Sequence, residues 1–226
     1  MKNDLTSVLV VAPHMDDEVL GCGGSIAKHV KEGCKVTVCV ICNRAYNGEY
    51  NEDLINREKK CSEEAKSILN YDKLIFLDQP DEQLYLYFRK SLQLLEKVAK
   101  EVNPDIVYIP FYGDIHQDHK TAAQISNIVF RPISNLNHIK ILAYEIPSST
   151  NMSFFSNSEK FNPNYFINIK DEFDLKIKAM EKYESESRSY PHPRSPDMLR
   201  AHAQHRGASS SFELAEAFMV LYEVKN

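Results

Sequence analysis

The chain has 226 residues, enough to bury the core of one α/β domain without disulfides or a structural metal. Its 27 basic and 32 acidic side chains form no long run of either sign, which excludes the basic stripe of a nucleic-acid binder and the polybasic patch of a membrane-surface protein. No stretch approaches the roughly 20 apolar residues of a membrane span, and MKNDLTSVLVVAP is too short an apolar run for a secretory signal, so a soluble, cytoplasmic protein with a small ligand is expected.

Thr6 to Val11 is a β-branched run that reads as a strand ending at Pro13, and helical spacing follows from Asp17 to Lys31, closed by Gly33. Lys35 to Ile41 predicts a second buried strand, Asn43 to Asn51 a polar loop, and Glu52 to Leu69 an amphipathic helix. A third strand over Lys73 to Leu77 leads to a Leu-rich helix from Glu82 to Val102. Beyond Pro104 come a fourth strand at Ile106 to Ile109, a helix from Lys120 to Phe130 and a fifth strand at Lys140 to Tyr144. Pro147 to Asn164, rich in Ser, Asn, Pro and Phe, is expected to be a loop or flap. A strand over Tyr165 to Ile169, a helix over Asp171 to Tyr183 and a last helix over Ser195 to His205 follow, with Ser195 as N-cap and Arg206-Gly207 as the stop.

Strands alternating with helices predict a single Rossmann-like, three-layer α/β domain over residues 1–226, with a mostly parallel sheet and right-handed crossovers. Ligands in such folds sit at the carboxyl ends of the strands. The five cysteines suit a reducing compartment, and Cys39 and Cys42, three apart on one strand, are expected to face opposite ways as inert thiols. Gly21, Gly23 and Gly24 are too tightly spaced for a dinucleotide fingerprint and are expected to let the first helix approach the sheet.

Two segments carry chemistry. Ala12-Pro13-His14-Met15-Asp16-Asp17-Glu18 stands where the first strand becomes the first helix, and its consecutive acids repel one another unless a cation is present. His116-Gln117-Asp118-His119 follows the fourth strand, at the same edge of the sheet. Imidazole nitrogen and carboxylate oxygen bind zinc at about 2.0 to 2.2 Å. His14, one of Asp16 or Asp17, and His119 therefore form a candidate set of three ligands, with a fourth position open to water. Asp118 is a candidate orienting partner for one of the histidines beside it.

The motif APHMDDEVLGCGG, the later HQDH and the tail HPRS…RG…AEAF resemble the LmbE/PIG-L superfamily of zinc-dependent N-acetylglucosaminyl deacetylases, which includes the bacillithiol and mycothiol biosynthetic deacetylases. The resemblance implies that His14, Asp17 and His119 bind zinc, that Asp16 is the general base, and that His116 polarises or protonates the reacting centre. It implies substrate contacts for Arg57, His192 and Arg194, and it implies a homotrimer or hexamer. Met15 departs from the pattern, where the family usually has proline. Read this way, the protein removes the acetyl group from an N-acetylglucosamine-type sugar conjugate. Two imidazoles and a carboxylate also accept Fe2+, Co2+ or Mn2+. The same ligands would serve another acyl or phosphate-ester substrate, and a sugar- or metal-binding protein without turnover is the rival outside enzymes.

Overall fold

The β-branched runs assemble into one seven-stranded sheet in the computed structural model, which describes residues 5–44, 51–131, 139–153 and 160–224. The strands are β1 (Ser7–Ala12), β2 (Lys35–Asn43), β3 (Lys73–Pro80), β4 (Ile106–Pro110), β5 (Lys140–Tyr144), β6 (Tyr165–Asn168) and β7 (Ala215–Glu223). The helices are α1 (Asp17–Lys31), α2 (Glu52–Leu69), α3 (Phe88–Val102), α4 (Gln117–Val129), α5 (Phe173–Met180) and α6 (Pro196–Ala208).

The strand order is β3-β2-β1-β4-β5-β7-β6, with β1 to β5 parallel and β7 antiparallel to both of its neighbours. Side chains alternate along β1 between two apolar clusters. Val8, Val10 and Ala12 pack with α1, α2, α5 and α6, whereas Leu9 and Val11 pack with α3 and α4. Helices thus cover both faces, as a parallel sheet requires. Gly21 brings α1 onto the sheet, because a Cβ there would stand 2.2 Å from Cδ2 of buried Tyr144.

Several expectations are corrected. The last strand, β7, is not among the elements predicted from the sequence; Ala, Glu, Met and Leu are good helix formers, and pairing with β5 and β6 overrides them. The helix expected from Glu82 begins at Phe88, after a 3-10 turn over Leu84–Tyr87. Asp118 accepts the backbone N–H groups of Glu82 (2.6 Å) and Leu84 (3.1 Å), and Glu82 adopts φ 61°, which no helix tolerates. Gly207 does not stop α6, which runs to Ala208; the glycine instead makes room for the returning chain, since a Cβ would lie 2.6 Å from the Phe212 carbonyl. Ser195 caps α6 as expected, its hydroxyl accepting the Met198 N–H at 3.2 Å.

Cys39 and Cys42 join the same apolar cluster, because the pairing of β2 with β3 shifts register between Val40 and Cys42. Both are free thiols that burial pushes up, Cys39 to about 12. The loops expected at 43–51 and 147–164 fall partly outside the described residues. No helix among the described residues is long and apolar enough to cross a membrane.

Candidate metal centre and active-site cavity

The carboxyl ends of β1 and β4 bring the two motifs together. Pro13 to Asp16 form the turn from β1 into α1, while Phe111 to His116 lead from β4 into α4. His14 Nδ1 lies 3.2 Å from Asp17 Oδ2 and 3.3 Å from His119 Nε2, and His119 Nε2 lies 3.2 Å from the same Asp17 oxygen. Ligand atoms held at about 2.0 to 2.1 Å in a tetrahedron are separated from each other by about 3.3 to 3.4 Å. The triangle is therefore the size of one face of a zinc-type site, and the residues fit a divalent cation. His116 lies within reach of the same point, since one nitrogen from each of His14, His116 and His119 falls within 4.8 Å of the others.

Electrostatics agree. Burial opposes a charge on His14, yet Asp118, Asp17 and Asp81 raise its imidazole well above the usual histidine range. Burial likewise opposes charge on His119, but Asp17 and Asp114 push it up to about 9. Burial works to raise Asp17, and His119 and His14 outweigh it, holding the carboxyl well below its ordinary value. The carboxylate field thus draws positive charge to the point that a cation would take.

Around the triangle stand carboxylates that fix the rings. His14 Nε2 lies 2.9 Å from Asp81 Oδ1 and 3.1 Å from Asp118 Oδ2. Asp118 was expected to orient a neighbouring histidine and instead orients His14, because successive residues of α4 point about 100° apart. Asp114 takes that part for His119, its Oδ2 lying 3.2 Å from Nδ1. The same carboxylate accepts the His116 N–H at 2.8 Å and the hydroxyls of Ser149 (2.8 Å) and Thr150 (2.5 Å). Cys42 is near His14 and Asp118, but burial pushes its thiol up so far that it stays neutral.

Asp16 occupies the N-cap position of α1, yet its side chain caps nothing and its backbone is strained at φ 121°. Its Oδ2 meets Arg194 Nη1 at 2.8 Å and Arg44 Nη2 at 3.3 Å, and both guanidiniums also pair with Glu186. Its buried Oδ1 has no hydrogen-bond partner among the described residues. Burial pushes the carboxyl up to about 6, against the pull of Arg194 and Arg44. His116 caps α4 by accepting the Asp118 N–H on Nδ1 at 3.2 Å, which leaves Nε2 for the cavity. Burial, then His14 and His119, push this imidazole down to about 4, so it is neutral near pH 7.

These groups line a cavity of about 340 Å³ with Ile115, Ser148, Ser149, Arg188, His192 and Arg194. His192 and Arg194 of the tail motif therefore line this cavity. Arg57 does not. Its side chain is 64% exposed, 3.7 Å from Glu58, and lines a separate groove with Lys60, Cys61 and Lys182, because α2 turns that face away from the sheet's carboxyl edge. Sequence reasoning missed Arg44, Asp81, Asp114 and Glu186. Arg44 and Asp81 follow β2 and β3 directly and Asp114 stands four residues past β4, so the rule that sites gather at carboxyl ends points to their neighbourhood without singling them out. Glu186 lies in an irregular segment that gives no such signal.

A family model described as PIG-L, GlcNAc-PI de-N-acetylase, matches residues 9–129. The chain is 29% identical over 195 residues to a diacetylchitobiose deacetylase of Thermococcus kodakarensis, covering 81% of this chain and 71% of that protein. It is 30% identical over 189 residues to Escherichia coli YaiS, called an uncharacterized deacetylase, covering 81% and 93%. Among solved structures, the N,N'-diacetylchitobiose deacetylase of Pyrococcus horikoshii superposes with a TM-score of 0.77 at 24% identity over 96% of this chain and 84% of that one. The 4-carboxy-2-hydroxymuconate hydratase GalB of Pseudomonas putida does so with 0.75 at 19% identity over 98% of each chain. At these identities the superpositions establish the fold, which hosts more than one reaction.

Proposed function

The chain belongs to the PIG-L family of GlcNAc-PI de-N-acetylases, and from that premise we propose that it hydrolyses the acetamido group of an N-acetylglucosamine-type sugar conjugate in the cytoplasm, with zinc as its metal. The observation that carries this reading is the juxtaposition of a ligand triangle, His14, Asp17 and His119, with a buried carboxylate, Asp16, whose Oδ1 has no partner among the described residues. A binding protein has no use for a base held beside the ligands.

His14, Asp17 and His119 would hold the ion. A bound divalent cation supplies Lewis acidity to the acetyl carbonyl and lowers the pKa of a coordinated water to about 7. Asp16 takes the proton of the attacking water on Oδ1 while Arg44 and Arg194 keep Oδ2 from turning. The neutral ring of His116, its Nδ1 occupied by the helix cap, carries its proton on Nε2 and donates it as a hydrogen bond to the developing oxyanion. Asp16, now protonated, passes the proton to the departing amine, and the products are acetate and a free amino sugar. Ser148, Arg188, His192 and Arg194 face the rest of the substrate.

The test is acetate release from free N-acetylglucosamine, N,N'-diacetylchitobiose, and malate, inositol and nucleotide conjugates, with zinc-loaded and chelated protein compared. Metal-dependent acetate release is expected from at least one member. Stoichiometric metal with no acetate from any would leave the metal centre and remove the deacetylase reading.

A further inference from the structure

On the metal-site reading above, we propose that the buried Lys176–Glu216 ion pair is a positioning device that holds α1, and with it Asp16 and Asp17, in register with His119. The pair is formed by Lys176 of α5 and Glu216 of β7, 2.6 Å apart, with 6% and 5% of their surfaces exposed. Both side chains bond the backbone of α1. Lys176 Nζ donates to the Leu20 carbonyl at 2.8 Å, and Glu216 accepts the N–H of Gly24 at 3.0 Å and of Ser25 at 2.7 Å, one on each oxygen.

Three facts make this more than packing. The clamped turn holds Gly21, Gly23 and Gly24, and glycine is the weakest helix former after proline, so α1 is soft just behind its catalytic end. In a regular helix the Gly24 N–H would donate to the Leu20 carbonyl, and here each of the two groups has a charged partner from outside. A buried ion pair is a weak way to add stability, since apolar residues of the same volume often serve as well. What charge-assisted bonds to named backbone atoms supply is direction: they fix the rotation and axial position of one turn, which apolar contacts leave free to slip.

The clamped residues lie three to eight positions from Asp17, about 5 to 12 Å along the axis. Metal–ligand distances tolerate only about 0.2 Å. A slip of α1 too small to open the core would therefore move Asp17 off the triangle it makes with His14 and His119. Asp16, at the N-cap, would move with it.

The experiment compares wild type, Glu216→Gln, Lys176→Met, Lys176→Arg and the double variant Lys176→Met/Glu216→Gln with Leu95→Ala, a core truncation in α3 at a residue that does not line the cavity. The readouts are Zn2+ affinity by chelator competition and kcat and KM separately, all measured below the transition, together with the thermal midpoint. The double variant leaves no unpaired ion in the core and keeps the test decisive where a single variant does not fold. Loss of Zn2+ affinity and of kcat by tenfold or more is expected for Glu216→Gln, Lys176→Met and the double variant, with KM within twofold. Lys176→Arg should recover most of the loss, and Leu95→Ala should lower the midpoint with Zn2+ affinity within twofold of wild type. If the double variant binds Zn2+ within twofold of wild type, or if Leu95→Ala loses affinity as much, the pair is merely structural and the proposal falls. Failure of wild type itself to bind Zn2+ would instead overturn the metal-site reading.

Discussion

Asp16 is pinned through one carboxylate oxygen by Arg44 and Arg194 and has no partner among the described residues on the other, in a backbone conformation that ordinary residues avoid. Such strain persists only where the surroundings over-determine it, and here the two guanidiniums and Glu186 do so. Asp16→Asn keeps the shape and loses the ability to take a proton, so it should retain stoichiometric metal while kcat falls by a factor of roughly 10² or more. Turnover at the wild-type rate would move the base elsewhere. His14→Ala removes one corner of the ligand triangle and should yield protein without bound metal, read by elemental analysis after dialysis. His14, one of Asp16 or Asp17, and His119 stand out as candidate ligands in the sequence because their motifs follow strands whose β-branched runs are plain, and the choice of Asp17 comes from the family resemblance. Asp81 and Asp114 do not, because a single carboxylate in a loop looks like any solvated acid until the fold sets it against an imidazole. Arg57 shows the converse error: the residue type suited a substrate contact, but the α2 face that bears it points elsewhere.

The elements were read best where local preference and burial agree, as in α1 and α2, whose predicted and observed bounds coincide. They were read worst where tertiary contacts decide. The 82–87 segment has helical composition and is kept from α-helix by Asp118, a residue more than thirty positions away, leaving only a 3-10 turn over Leu84–Tyr87. β7 has helical composition too, and becomes a strand because β5 and β6 offer it two edges. The link between β5 and α6 makes a prediction at this scale. Glu145, just past β5, accepts two bonds from Arg206, each 2.7 Å, and lies 3.0 Å from His202 Nε2. Burial would raise its carboxyl, but His202 and Arg206 prevail and hold it below its ordinary 4.5. A carboxyl depressed in the folded state contributes stability that is present above the unfolded value and lost as pH falls through the folded one. Stability should therefore drop below about pH 4.5, and Arg206→Ala should lower it on the order of 3 kcal/mol at pH 7 while flattening that acid limb. Urea midpoints between pH 3 and 7 measure both, and equal acid limbs in the two proteins would exclude Glu145 as a contributor.

Across the whole molecule the alternation of strands and helices made a parallel sheet legible, and the parallel sheet in turn made its carboxyl edge the place to look. What alternation could not disclose is how much of the molecule is arranged around that edge. α1, α4, the segment holding Ser149 and the tail holding Glu186 and Arg194 converge on one cavity, and the turn before α3 and Thr150 bond the carboxylates Asp118 and Asp114 that orient its histidines. An ion there would touch residues from β1–α1 and from α4, and through Asp81, Asp114 and Asp118 it would be tied to the loops as well. Such an ion binds the folded chain and not the unfolded one, so it stabilises by mass action. At one hundred times its dissociation constant the gain is about 2.7 kcal/mol. In a chain of this size each kcal/mol moves the thermal midpoint by about 2 to 4 °C, so zinc should raise it by about 5 to 11 °C over chelated protein. The shift should grow with the logarithm of free zinc above the dissociation constant and vanish in His14→Ala, as scanning calorimetry can follow. A midpoint that ignores zinc in wild type would mean that the converging loops hold one another without an ion at their centre.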